Sequence, residues 1–209
     1  MSVPITTHTP TQFFGSMTMA DLVPDVDTDL TSSQCLIPLD IAALRIIDGD
    51  EIHNLAAIGG LLAEDSNPRL LRTDTSTDPL MRVLWTAEND EIEVQFPPLI
   101  VPPDLDASEN VIFHAIASRE DTTDDCQVDV HAFQTGVGAY AADTEMGGKW
   151  AALDGAAAEL QERTVTLDAA DIAVAPSILT LSLVPDAHTT DDLYLYAAWI
   201  EYTRKLRAS

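Results

Sequence analysis

The sequence predicts an all-β protein, a two-sheet antiparallel β-sandwich. Three observations carry that prediction. Short runs with apolar residues at every second position recur from residue 80 to residue 205, the period of a strand with one buried face. Prolines cluster in connections such as VPPD (101–104), where a missing N–H does no harm to a central strand. Regular helical runs of ten or more residues after each strand, which βαβ units require, are missing.

The elements follow in chain order. Residues 1–34 read as an extended N-terminal arm or first strand, ahead of a single sandwich domain over 35–209. Within the arm, residues 1–12 are rich in Thr and Pro, and FFGSMTMADLV is either a strand or a segment laid on a neighbour. LIPLDIAALRII (36–47) reads as a strand, a kink and a second short strand, with a short helix over 40–47 as the alternative. EIHNLAAIGGLLAE (51–64) is ambiguous, because the helical spacing of Ile52, Leu55, Ala56 and Ile58 is interrupted at Gly59-Gly60.

The signal then sharpens. LMRVLWT (80–86) puts Met81, Val83 and Trp85 on one row, and EIEVQF (91–96) does the same with Ile92, Val94 and Phe96. The intervening END corner predicts a hairpin. NVIFHAIASR and CQVDVHAFQT are two strands joined by the acidic turn EDTTDD. The Gly/Ala-rich stretch of about 136–160 reads as a long insertion, with a short helix near 151–161. RTVTLDAADI and ILTLSLVP are strands, the latter with Leu179, Leu181 and Leu183 on one row.

The closing strand, LYLYAAWIEYTRK (193–205), is apolar on both rows. Leu193, Leu195, Ala197 and Trp199 form one; Tyr194, Tyr196, Ala198, Ile200 and Tyr202 form the other. If the first row fills the inter-sheet core, the second needs cover. Tyrosine suits interfaces, since its ring buries area while its hydroxyl finds a partner. Tyr194, Tyr196, Ile200 and Tyr202 are therefore the expected oligomer interface. An aromatic platform for sugar is the rival use of the same side chains.

Composition narrows the partners. Among 209 residues, 35 acidic side chains face 10 basic ones, for a net charge of -25. Non-specific attraction to nucleic acid comes from Lys and Arg neutralising phosphates, so no nucleic-acid partner is expected. Lysine occurs twice against eight arginines, and Asp outnumbers Glu 24 to 11. Sparse lysine with dispersed aspartate suits a protein of molar salt, where a Debye length of about 3 Å screens the mutual repulsion. No stretch of 18 apolar residues predicts a membrane span. The first residues lack the charge and apolar core of a signal peptide. Cys35 and Cys126 are expected as two buried thiols rather than a bridge.

Motifs for chemistry are few. Asp25, Asp27 and Asp29 open like a calcium loop, but Leu30 stands where glycine turns the chain and Leu36 where a bidentate glutamate belongs. They make at most a weak cation site, and no metal or other cofactor is expected. His114 and His131, in two strands read as possible neighbours, suggest a metal site with Asp129, but Asp129 and His131 alternate with Val128 and Val130 as ordinary outer-face residues. No Gly-x-Ser-x-Gly elbow or phosphate loop is present. No catalytic residue is assigned, and the protein is not expected to be an enzyme.

The segments VQFPPLIVPPDLDASENVIFHAIAS (94–118) and TLSLVPDAHTTDDLYLYAAWIEYTRK (180–205) resemble the β-sandwich virion proteins of tailed viruses of bacteria and archaea. The matching positions are Pro103, Asp104, Asp106, Phe113, His114, Pro185, Asp192, Leu193, Leu195, Trp199, Glu201, Tyr202 and Arg204. The resemblance implies a jelly-roll homo-oligomer, commonly a trimer. It would be located in the virion and bound to a major capsid protein or other virion proteins as decoration, cement or turret. A jelly-roll capsid subunit of an internal-membrane archaeal virus and a carbohydrate- or receptor-binding module are the alternatives.

Overall fold

A computed structural model describes residues 32–48, 51–54, 68–72, 80–87, 92–136, 145–168, 176–186 and 188–205. The Asp25, Asp27 and Asp29 triplet and most of the predicted arm lie outside these residues. The described chain is all-β. Its strands are β1 (Ser32–Leu39), β2 (Arg45–Asp48), β3 (Glu51–Asn54), β4 (Arg69–Arg72), β5 (Met81–Trp85), β6 (Glu93–Gln95) and β7 (Leu99–Ile100). They continue as β8 (Val111–Arg119), β9 (Gln127–Gly136), β10 (Gly148–Lys149), β11 (Gln161–Leu167), β12 (Ser177–Asp186) and β13 (Leu193–Lys205).

Two antiparallel sheets face each other. The first has the order β11-β8-β13-β5-β4, with β1 also on β13; the second has the order β10-β9-β12-β6-β2-β3, with β7 on β12. The eight strands β5-β13-β8-β11 and β6-β12-β9-β10 set each strand in the sheet opposite its partner in sequence, which is the jelly roll. β8 and β9 are therefore joined across the sandwich rather than side by side. The same holds for β5 and β6, so the predicted hairpin over 80–96 is instead a crossover. The reason is in the rows: Val83, Trp85, Val94 and Phe96 are all buried, and both strands turn their apolar rows into one core from opposite sides. Trp85 Nε1 donates to the Ile92 carbonyl at 3.2 Å and closes that corner.

The strand, kink and strand expected over 36–47 are present. β1 runs in the first sheet, a 3-10 turn over Ile41–Ala43 is capped by the Asp40 carboxylate on Ala42 N at 2.9 Å, and β2 enters the second sheet. No helix forms at 151–161. Residues 145–153 instead lie along the edge of β9, through Met146 N to Ala132 O, Trp150 N to Val128 O and Leu153 N to Cys126 O. Met146, Trp150 and Leu153 go into the core from there. Burying these side chains is worth about 1.5–3 kcal/mol for a leucine-sized group, more than an alanine run's helix propensity can offer. Gly147 permits the approach, because a Cβ there would stand 1.7 Å from the Val130 carbonyl oxygen.

The core lies between the sheets. Trp85, Trp150, Phe96, Phe113, Leu181, Leu183, Leu193 and Leu195 are completely or almost completely buried, and the rings of Phe96 and Phe113 meet at 6.4 Å and 53°. Cys35 and Cys126 are free thiols, Cys126 buried. No described helix is long and apolar enough to cross a membrane.

Candidate functional site

β13 explains why its sequence is apolar on both rows. Its register against β8 runs Leu195 to Ala117, then Ala197 to Ile116, so Tyr196 is an extra residue: a β-bulge. Before the bulge, Leu193 and Leu195 point into the core. After it, the inward row continues as Ala198 and Ile200, both buried in the core, with Tyr202 packed against it. The outward row is Tyr194, Tyr196, Ala197, Trp199 and Glu201. The bulge thus divides the expected interface set. Tyr194 and Tyr196 share the outer face; Ile200, at 2% exposure, is part of the monomer's own core. Trp199, expected inside, is on the outer face.

Tyr194 is covered within the chain. The Arg82 guanidinium lies over its ring, 4.0 Å from the centroid, a cation–π contact. Burial, and next the Asp192 carboxylate, push its hydroxyl up to about 12. Arg82 Nη1 also donates to the Tyr196 hydroxyl at 3.4 Å, and Ser118 Oγ stands 3.3 Å from that same oxygen. Tyr196 is therefore pinned at its tip while its ring edge stays half-buried.

Trp199 is set by β8. His114, its cross-strand partner, stacks on it with centroids 4.8 Å apart and planes 11° from parallel. Glu162 Oε1 is hydrogen-bonded to the imidazole Nδ1 at 2.8 Å, and Glu201 Oε2 stands 3.4 Å from Nε2, which makes no hydrogen bond. His131 is in the other sheet, on the opposite outer face, paired with Glu145. The two histidines cannot share a metal. Among the described residues no cluster of three or more His, Cys, Asp or Glu side chains could hold one.

Beside Trp199 the sheet opens. One edge of β13 pairs with β5 over Leu193–Leu195 and with β1 from Ala198 onward, leaving Tyr196 and Ala197 without a described partner on that side. β1 turns away at Leu39 as the 3-10 turn begins, and β5 starts at Met81. The gap is an open groove of about 420 Å³, within the range of small-molecule sites. Tyr196, Trp199, Met81, Leu36 and Pro38 line it, with Asp40 at the rim. Leu36 is 63% exposed and Met81 43%.

The remaining conspicuous side chains hold the frame. Asp191 Oδ2 accepts from Thr123 N at 2.8 Å and Asp124 N at 3.0 Å, while the Asp124 carboxylate accepts from Thr190 N and from Asp191 N at 2.9 Å. Each aspartate caps the other's turn. Arg119 donates to the Gly155 carbonyl at 2.9 Å. Of the motif residues over 103–106, Asp104 pairs with Arg204, and Asp106 N donates to Thr203 O at 2.8 Å. That turn staples the end of β13, so Arg204 is occupied within its own chain.

Sequence reasoning missed the groove, Met81 and Leu36 as its banks, Arg82, and the His114 stack. The signal available was the doubled apolar row: a strand with no wet row before or after its midpoint is the mark of a bulge that exchanges the rows.

No family model and no curated protein matches the sequence. Among solved structures, the chain is similar to a xylan-binding module CBM15, with 13% identity, a TM-score of 0.49, and coverage of 83% of this chain and 100% of that one. It is also similar to the CBM22-1–GH10 modules of Clostridium thermocellum xylanase 10B complexed with xylohexaose: 12% identity, TM-score 0.45, 84% of this chain and 28% of that one. A third is TmCBM61 in complex with β-1,4-galactotriose, with 9% identity, a TM-score of 0.31, and 84% and 90% coverage. At these identities and scores, function has to be argued from this chain's own residues.

Proposed function

We propose that this chain is a binding protein without chemistry of its own, and that it takes a glycan in the groove walled by Tyr196 and Trp199. The observation that carries the proposal is the groove itself. Two aromatic side chains, each fixed from behind by a neighbour, stand beside an opening of about 420 Å³ with apolar banks. The electron-rich face of an aromatic ring attracts the C–H face of a pyranose, whose hydroxyls then point outward to polar partners. Asp40 and the strand edge at Tyr196 and Ala197 supply such partners. Among the described residues that line it, Asp40 is the only carboxylate.

The test is a panel of soluble polysaccharides titrated against the full chain. Binding is expected, and Trp199→Ala should weaken it about thirtyfold, as truncation of a central aromatic contact does. Tyr196→Ala should weaken it less and leave the fold intact. A variant lacking Trp199 that binds as well as the parent would overturn the assignment.

A second reading keeps the same face and changes its occupant. It makes the chain a structural subunit of a virion from a salt-adapted host, self-associating or packing on capsid neighbours. Leu36 and Met81 favour it, since their exposure gives the groove apolar banks of a kind protein contacts also use. Sedimentation decides: oligomers at molar salt that dissociate at low salt support this reading, and a monomer at both sinks it.

A further inference from the structure

Resting on the glycan reading, we infer that a proton on His114 regulates the groove: the imidazolium holds Trp199 firmly at the groove wall, the neutral ring holds it less, and binding tightens as pH falls. Trp199 is the side chain between the two, lining the groove and stacked on His114 at 4.8 Å and 11°. The histidine is buried, at 9% exposure, and carboxylates from two strands flank its ring. Glu162 of β11 is hydrogen-bonded to Nδ1 at 2.8 Å; Glu201 of β13 stands 3.4 Å from Nε2, a buried nitrogen without a hydrogen bond. Thr164 and Trp199 are its cross-strand partners, and Ile112 and Ile116 precede and follow it on the outward row of β8. Among the described residues, Glu162 and Glu201 are therefore the charged groups that face it.

A neutral imidazole has one N–H and one lone pair. With the proton on Nδ1, the ring donates to Glu162 and leaves the Nε2 lone pair facing Glu201. With the proton on Nε2, the Nδ1 lone pair faces the Glu162 oxygen at 2.8 Å. Each neutral tautomer thus sets a lone pair against a carboxylate, whereas the imidazolium has a donor for both. Protonation brings Glu201 from 3.4 Å to the roughly 2.7–2.9 Å of a charge-assisted bond. Glu201 is two residues beyond Trp199 on the same row of β13, so that bond ties the strand beside the indole to the ring on its face. A cation also attracts an indole face more strongly than a neutral ring does. An indole already held in place loses less freedom when a ligand settles on it.

The experiment reads acrylamide quenching of the full chain between pH 8 and pH 5, the interval in which imidazoles ordinarily change charge, and titrates soluble glucan, xylan and galactan at both ends. Trp85 and Trp150 are buried, so quenching reports Trp199. Toward pH 5 quenching should fall and binding should tighten about threefold, the fold-change of a surface cation–π contact. His114→Phe keeps the stack without a titrating group, so both readouts should lose their pH dependence. Glu201→Gln places an amide N–H against the neutral ring and should hold Trp199 at pH 8 nearly as the parent does at pH 5; it carries the test if His114→Phe fails to fold. A parent flat in both readouts, or a pH response that survives His114→Phe, would overturn the inference and leave glycan binding standing. Binding of no polysaccharide at either pH would overturn both.

Discussion

The two outer faces of this sandwich are built from strands of similar length and carry opposite chemistry. On the second sheet, β9 and β12 alternate as expected: Asp129, His131 and Phe133 on one, Thr180, Val184 and Asp186 on the other, all partly exposed. Lys149 bridges Asp129, at 3.4 Å, and Asp186, and His131 pairs with Glu145. That face is wet. On the first sheet, the corresponding row of β13 holds Tyr194, Tyr196 and Trp199, braced by Arg82 and His114. A jelly roll needs one buried face per sheet, and the second sheet adds only the exposed pair Ile100 and Ile178 at one end of its outer face. The first has a second ordered, apolar-rich face that the chain's own core does not require, and that surplus is where we place the proposed function.

The largest effect should come from charging the row that the bulge turns inward. Ile200→Asp sets an unpartnered carboxylate in the core, where burial of a lone charge is strongly unfavourable. The variant should fail to fold, or melt far below the parent, by circular dichroism. Glu201→Ala, at the next residue but on the outward row, should do far less. A stable protein after Ile200→Asp would mean that the register shift does not turn Ile200 inward.

That shift also marks what was legible in the sequence. The alternating runs of β5, β6, β9 and β12 predict their buried rows with the exception of Met81, which is exposed at the start of β5. Strand period largely decides which side chains turn inward. A two-sheet sandwich follows from counting such runs, while its jelly-roll type rests on the resemblance to virion proteins. The site did not follow, because it depends on one extra residue in β13 and on two strands, β1 and β5, that pair with different halves of it. Period analysis assumes unbroken alternation, so it assigned Trp199 to the core and Ile200 to the surface. The helix expected near 151–161 failed for a related reason: Trp150 and Leu153 had a core to enter, which a local reading of Gly and Ala does not include.

A smaller effect should separate the aromatic brace from the wet face. His114→Ala removes the ring behind Trp199, a contact worth about 1 kcal/mol, and should raise acrylamide quenching of tryptophan. Trp85 and Trp150 are buried, so the change reports Trp199. Glycan binding should weaken severalfold. His114→Phe keeps the stack without the carboxylates and should restore both readouts toward the parent. Phe133→Ala, the matched change on the second sheet, should alter neither.

Smaller again is an alkaline effect that the two regions share unequally. Burial, with Asp192 next, pushes Tyr194 up to about 12 from its ordinary 10.0. Burial, with Asp191 and Asp124 next, pushes Cys126 up to about 12 from 9.0. In each case the folded state holds the proton more tightly than the unfolded chain. The stabilisation is complete below the unfolded value and is lost as pH rises toward the folded one. The melting temperature should therefore decline between pH 9 and 12. Cys126→Ala should flatten the decline from pH 9 upward, and Tyr194→Phe only from pH 10. An unchanged slope in both variants would place the alkaline sensitivity elsewhere.

The smallest effect is expected at the charges of the second sheet, and it closes the comparison. The Asp186 and Asp129 carboxylates hold the Lys149 ammonium above its ordinary value, hydrogen bonding to Asp186 contributing most. The three side chains are about one-third exposed, and ion pairs at such positions add little because water and salt compete for both partners. Lys149→Met should leave the melting temperature unchanged at molar salt and nearly so in dilute buffer. A large loss would mean that the second sheet, too, depends on its outer face. The contrast between a solvated face and an apolar, braced one would then reduce to a difference in residue type.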